Sequence, residues 1–317
     1  TGLYDVLNNK WATELAEDLG IPTNIFGEVQ DAGTIRGTLS KEMQDLTGIG
    51  PIPCIATASH DTASAVVSTP FNSPGSAYIS SGTWSLLGVE LDNSVVNNLT
   101  LQHRLTNEGG FGRNTRLLCN IAGLWLIQEV RRDLKLQGIE LTYAELVELA
   151  KAQPEKWRTL IHVNDSVFIH AGEMIKRIAK FAKDSGQPIP TTPGELAQCI
   201  FASLALHYAR IAEVLAECSG LAMPAIHIVG GGSQNSLLSQ LTADISGLEV
   251  IAGPVEATAM GNAIVQAIAL GEIASLEDGR KIIGASDLGI KSYLPSQDGE
   301  IRSAISGLQI RYEALIN

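Results

Sequence analysis

Residues 225–253 read AIHIVGGGSQNSLLSQLTADISGLEVIAG. A short run, apolar apart from His227, leads into Gly230, Gly231 and Gly232. A helical pattern follows from Ser236, and a second apolar run, EVIAG, closes the stretch. Short apolar runs bounded by turn residues mark buried strands, and apolar residues three and four apart mark helices. The stretch therefore predicts strand, glycine turn, helix and strand, and EATAMGNAIVQAIALG (256–271) adds a further helix. Strands alternating with helices indicate an α/β domain.

The glycine turn is the strongest local signal for chemistry. Glycines let a backbone approach a ligand closely, and a following helix N-terminus favours an anion. Gly231, Gly232 and the capping candidates Ser233 and Asn235 make it a candidate nucleotide cradle. It is no P-loop, because no Gly-Lys-Ser/Thr follows. It also misses the dinucleotide pattern G-x-G-x-x-G, since Asn235 stands at the last glycine. A tight strand-to-helix turn that binds nothing is the competing reading.

Upstream, Thr192, Pro193 and Glu195 supply an N-cap, a first-turn proline and a capping-box glutamate for a helix that Gly220 ends. Leu3, Leu7, Trp11, Leu15 and Leu19 are spaced as a helix stopping at Gly20. PIPCIATAS (51–59) reads as a buried strand and DTASAVVST (61–69) as a helix begun by Asp61. SAYISSGTWSLLGVEL (76–91) reads as a hairpin, and residues 116–134 as an amphipathic helix. No internal repeat or low-complexity linker is visible.

The 317 residues, 45% hydrophobic and 18% charged, allow one large or two ordinary domains with a sizeable core. A net charge of −12 argues against nucleic-acid or anionic-membrane partners, and no uninterrupted apolar run long enough to span a membrane occurs. Cys54, Cys119, Cys199 and Cys218 lack metal-ligand spacing, so no metal site is expected. They read as reduced core thiols of a cytoplasmic protein.

Ser59, His60 and Asp61 are the residue types of a hydrolase triad, but consecutive side chains do not converge. Asp61 is open to two readings: a helix cap, or a carboxylate base taking a proton from a substrate hydroxyl. Gly82 and Thr83 sit at the hairpin tip, where turn N–H groups and a hydroxyl suit a terminal phosphate. Asn120 and Gln128 interrupt the apolar stripe of the 116–134 helix, two turns apart, roughly 12 Å along the axis. They either reach one elongated ligand or satisfy nearby backbone.

Five stretches in order carry a resemblance: ASHDTASAV (58–66), AYISSGTWSLLGVE (77–90), NEGG (107–110), NIAGLWLIQEV (120–130) and HIVGGGSQNSLLSQLTADISGLEVIAGPVEATAMGN (227–262). Together they resemble the C-terminal part of the FGGY carbohydrate kinases. The resemblance implies an actin/hexokinase-like (ribonuclease H-like) α/β ATPase fold, this chain being the C-terminal half of a two-domain sugar kinase. It implies ATP and Mg²⁺ as cofactors and transfer of the γ-phosphate to the 1-hydroxyl of L-rhamnulose, with L-fuculose or another deoxyketose or pentulose the runner-up and a non-catalytic nucleotide- or sugar-binding fragment the alternative of a different class. Asp61 then falls on the catalytic base, with His60, Thr62 and Asn120 at the sugar. Gly82, Thr83, Gln128, Gly231, Gly232 and Asn235 fall at the nucleotide. Phosphoryl transfer asks mainly for positioning and one carboxylate on the attacking hydroxyl, which suits a lone Asp61.

One departure stands out. Family members carry an N-terminal domain opening with an Asp-x-Gly phosphate loop, and no such loop is present here. Residues 1–50 are expected to be a remnant of that domain and 51–317 the C-terminal, nucleotide-binding one. With a first residue Thr1 rather than Met, the expectation is a fragment, a monomer or homodimer, inactive by itself; robust turnover by these 317 residues would sink it.

Overall fold

The computed structural model describes residues 2–316. In chain order the strands and helices are β1 (Tyr4–Asp5), β2 (Lys10–Trp11), α1 (Thr13–Asp18), β3 (Ile35–Thr38), α2 (Lys41–Thr47), β4 (Pro53–Ile55), α3 (Asp61–Val67), β5 (Ala77–Ser81), β6 (Ser85–Leu91), α4 (Asn98–Gln102), β7 (Thr106–Gly109) and β8 (Thr115–Ile121). They continue as α5 (Trp125–Leu136), α6 (Tyr143–Lys151), α7 (Met174–Asp184), α8 (Pro193–Ser219), β9 (Ala225–Val229), α9 (Ser236–Ser246), β10 (Glu249–Ala252), α10 (Ala257–Ala269), α11 (Leu276–Ala285), β11 (Lys291–Tyr293) and α12 (Gly299–Ile316).

The chain divides into two compact units. The first takes the chain up to Pro70, with Val89–Leu118 and Ala257–Ser286; the second takes Phe71–Gly88, Cys119–Glu256 and the chain from Asp287 on.

The second unit is built on a mixed sheet in the order β11-β10-β9-β5, joined by β6 as far as Gly88. β9 lies parallel to both β5 and β10, so it is central, and all five of its residues are buried. A strand covered on both faces tolerates an apolar run without alternation. α8 packs against α6 and α9. Its capping box is made in both directions: Thr192 Oγ1 accepts from the Glu195 N–H at 3.2 Å, and Glu195 Oε2 accepts from the Thr192 N–H at 3.0 Å. Gly220 ends α8 at φ 70°. Among the described residues α8 alone is long and apolar enough to cross a membrane, but 83% of its most apolar window is buried inside the protein. It is a core helix.

The first unit holds three antiparallel pairs, β1 with β2, β3 with β4, and β7 with the part of β8 up to Leu118. It also packs α3 against α10.

Four expectations are corrected. The 3–19 helix is instead a small hairpin followed by the short α1, with Leu7, Leu15 and Leu19 exposed. Asp5 accepts from the N–H groups of Leu7 and Asn8 at 3.0 and 3.1 Å, and Asn9 is left-handed at φ 50°. Asx turns of this kind compete with helix for the same backbone donors. The 116–134 helix splits into β8, a turn at Gly123 and α5; both faces of β8 are covered except at Asn120, so its apolar run carried no strand alternation. The 51–59 strand shrinks to β4, largely exposed, since Pro51 and Pro53 donate nothing to a ladder. Cys54 on β4 is exposed rather than core, whereas burial pushes the Cys199 thiol up to about 12.

Candidate active site

In the first unit Asp61 opens α3, following Ser59 at φ 64° and His60 in extended backbone. Every other residue of α3 is buried, and most are small. The reason is the approach of α10: a Cβ at Gly261 would collide with the carbonyl oxygen of Ser64. Ser64 Oγ donates to Asn262 Oδ1 at 2.8 Å, Ser68 Oγ to the Ala257 carbonyl at 2.7 Å, and Thr258 Oγ1 to the Asp61 carbonyl at 3.2 Å. Arg280 closes the other end of α3, its Nη2 on the Val66 carbonyl at 2.9 Å, where a cation complements the helix dipole.

The Asp61 side chain is thereby held in place yet 76% exposed. Its Oδ1 accepts from the Thr62 N–H at 2.6 Å and lies 3.1 Å from His60 Nε2. His60 is therefore the N-cap, with no side-chain capping bond, and Asp61 the first helical residue. Thr62 is buried. The Ser59 hydroxyl donates to the Thr57 carbonyl at 3.3 Å, whereas the His60 ring is flanked by carboxylates, Asp61 on one side and Glu108 Oε2, 3.5 Å from Nδ1, on the other. That arrangement is not a triad. A cavity of about 510 Å³, lined among others by Trp11, Asp31, Arg36, Glu108 and Arg113, lies in the same unit. Its size is that of a small-molecule site.

In the second unit two turns meet at Ser81. A Cβ on Gly230 would lie 2.8 Å from the Ser81 carbonyl oxygen, and one on Gly232 would collide with Ser81 Oγ. Both positions must be glycine, and Gly230 is also left-handed at φ 84°. Gly231, between them, is exposed, and a Cβ there would meet nothing within 4 Å. The hairpin tip beside Ser81 presents exposed Gly82 and Thr83. The tip is fixed from behind, for the Thr83 carbonyl accepts from the Trp125 N–H at 2.8 Å, and a Cβ on Gly123 would lie 2.6 Å from the Ser85 nitrogen. Gly82, Thr83, Gly231 and Gly232 thus lie together, two backbone turns with an open space at Gly231. Asn235 caps α9, its Oδ1 accepting from the Leu238 N–H at 3.0 Å.

Asn120 and Gln128 are not two turns apart on one helix. Asn120 is the exposed residue of β8, and Gln128 is half-buried on α5, beside a cavity of about 250 Å³ lined by Arg131, Arg132 and Lys135. The turn between them is clamped by Asn164, whose Nδ2 donates to the Asn120 carbonyl at 3.1 Å and whose Oδ1 accepts from the Ala122 N–H at 2.9 Å. Asn164, Gly123, Glu108 and Arg116 escaped the sequence reading; only the glycine-flanked Glu108 of NEGG left a visible signal.

Residues 77–270 match the C-terminal domain of the FGGY family of carbohydrate kinases, more than half of the chain. The chain belongs to that family. Curated relatives include a rhamnulokinase from Bacteroides thetaiotaomicron, 41% identical over 282 residues that make up 89% of this chain and 57% of that protein. Another is a rhamnulokinase from Enterococcus faecalis, 39% identical over 318 residues, 100% of this chain and 62% of that protein. The chain spans about three fifths of the length of these relatives. Among solved structures, Plasmodium falciparum glycerol kinase with ADP superposes with a TM-score of 0.75 at 16% identity, over 99% of this chain and 61% of that one. A xylulose kinase from Rhodospirillum rubrum gives 0.72 at 17% identity, over 99% and 61%. The α/β fold is the actin/hexokinase-like one expected.

The open space at Gly231 beside the Gly82–Thr83 tip fits the phosphates of an FGGY nucleotide. Among the described residues no three His, Cys, Asp or Glu side chains group to hold a metal ion; a Mg²⁺ carried by nucleotide phosphates would need only one or two carboxylates, and no step below runs through one.

Proposed function

We propose that this chain is the base-bearing and nucleotide-binding part of a sugar kinase that phosphorylates the 1-hydroxyl of L-rhamnulose with ATP in the cytoplasm. The observation that carries the reading is the exposed carboxylate of Asp61, fixed at the start of α3 by the Thr62 N–H and by the packing of α3 on α10. An exposed acceptor on an immobile helix start is what deprotonation of an incoming hydroxyl requires. The identity to proteins named rhamnulokinase supports the choice of sugar.

The chemistry is economical. Asp61 accepts the proton of the 1-hydroxyl as its oxygen bonds to the γ-phosphorus, and the bond from that phosphorus to the bridging oxygen breaks, ADP keeping the electron pair. His60 borders the attacking hydroxyl, and the buried Thr62 acts behind Asp61, its N–H and hydroxyl on Oδ1, with Asn120 as a further sugar contact. The N–H groups of Thr83 and Gly231 and the Thr83 hydroxyl hold phosphate oxygens without a net positive charge, while Gly82, whose N–H donates to the Trp84 carbonyl at 2.8 Å, and Gly232 shape the two turns around the nucleotide. Gln128 contacts the nucleotide, and Asn235 keeps α9 in place behind the glycine turn.

The test is ADP release by the full-length protein with L-rhamnulose and L-fuculose side by side. Preferred turnover of L-rhamnulose supports the assignment. Preference for L-fuculose keeps the mechanism and replaces the sugar. Nucleotide binding with no turnover of either sugar contradicts the substrate class.

A further inference from the structure

The His60 ring is held from the side away from Asp61. Glu108 and Arg116 are directly opposed residues of the antiparallel β7–β8 pair, and Arg116 Nη2 lies 3.0 Å from Glu108 Oε2. Arg116 is only 2% exposed, and its Nε and Nη2 each donate to the Gly109 carbonyl at 3.1 Å. A buried guanidinium tied to two groups of one strand has little freedom, and it fixes the carboxylate bonded to it. The same Oε2 lies 3.5 Å from His60 Nδ1, and His60 Nε2 lies 3.1 Å from Asp61 Oδ1. Four side chains therefore form a line from a buried cation to an exposed carboxylate.

We propose that Glu108, anchored by Arg116, is a positioning residue for phosphoryl transfer, acting through His60 on the orientation of the Asp61 carboxylate. The inference rests on the reading of Asp61 as the base. A ring nitrogen facing a carboxylate is held toward it, so the fixed Glu108 at Nδ1 governs the plane of the ring and with it the direction from which Nε2 meets Asp61. Asp61 is mostly exposed and bonded to protein through Oδ1. The Thr62 N–H holds Oδ1 from the helix side, and the set of the carboxylate toward an incoming hydroxyl then depends on the ring that lies against the same oxygen.

The experiment is a double-mutant cycle in the full-length protein, reading kcat, the KM for sugar, the KM for ATP and the melting midpoint. Glu108→Gln keeps the volume and an acceptor for Arg116 while removing the charge facing His60. It is expected to lower kcat roughly tenfold to a hundredfold, the scale of a misplacement of about 1 Å. The KM for ATP should stay within about twofold, the level of ordinary non-additivity. In a His60→Ala background the same change should cost less than about twofold, because the intermediary is gone. Should Glu108→Gln melt early, Glu108→Asp, which withdraws from the ring, carries the same expectation. An unchanged kcat overturns the proposal. So does a loss that persists in His60→Ala, which makes Glu108 either a direct sugar ligand or a purely structural residue. Asp61→Asn runs alongside: if it keeps full turnover, the reading of the base fails and the proposal with it. If Asp61→Asn is inactive while Glu108→Gln is neutral, only the proposal fails.

Discussion

At the scale of single residues, two neighbouring glycines separate structure from binding. Gly232→Ala drives a methyl into Ser81, so the folded state must rearrange both turns, and a drop of several degrees in the melting midpoint is expected by calorimetry. Gly231→Ala adds a methyl to open space; the midpoint should hold, while titration with ATP should give a weakened affinity. His207 offers a test by pH. Burial pushes its pKa down from 6.5 to about 3, with His162 and Arg210 adding to the effect. The folded ring therefore stays neutral while the unfolded one takes up a proton below pH 6.5. Its contribution is complete above that pH and is lost as pH falls towards 3, at up to about 1.4 kcal/mol per pH unit. Chemical denaturation of His207→Gln between pH 7 and pH 4 should give a shallower decline than that of the native sequence.

At the scale of elements, the α3–α10 contact is the one on which Asp61 depends. Gly261→Ala places a methyl against the Ser64 carbonyl, and backbone cannot swing aside as a side chain does. A loss of about 1–3 kcal/mol is expected in urea unfolding, together with lowered turnover. The elements that the sequence made legible carry their own punctuation: α8 has a capping box and a terminal glycine, and α9 has Asn235 and the glycine turn. Residues 2–20 misled because the Asp5–Asn9 turn withdraws backbone donors from a helix that the leucine spacing imitates. Residues 116–134 misled because β8 is apolar on both faces and the glycine that ends it is read only with Ser85 in view. Glu108 and Arg116 were hidden for a related reason: they meet through the register of β7 on β8, which no local pattern encodes. Asp61, Thr83 and Gly231 stand out as candidates because each lies in an ordered motif where one element turns into the next.

At the scale of the whole molecule, charge and burial agree with a small-molecule enzyme. A net charge of −12 argues against a polyanionic partner, and under the proposal phosphate would be met by backbone N–H groups instead. Asp61 and the glycine turns fall in different compact units, so the proposal stands on each separately: an exposed carboxylate in one, two glycine-bearing turns in the other. The claim that Asp61 is the base is the central one. The most direct measurement is ADP release on L-rhamnulose by full-length Asp61→Asn beside Ser59→Ala. The account predicts a loss of about a hundredfold or more for Asp61→Asn, the scale of a general base, and turnover within about twofold of the native protein for Ser59→Ala. Full turnover by Asp61→Asn, or its abolition by Ser59→Ala, would contradict it.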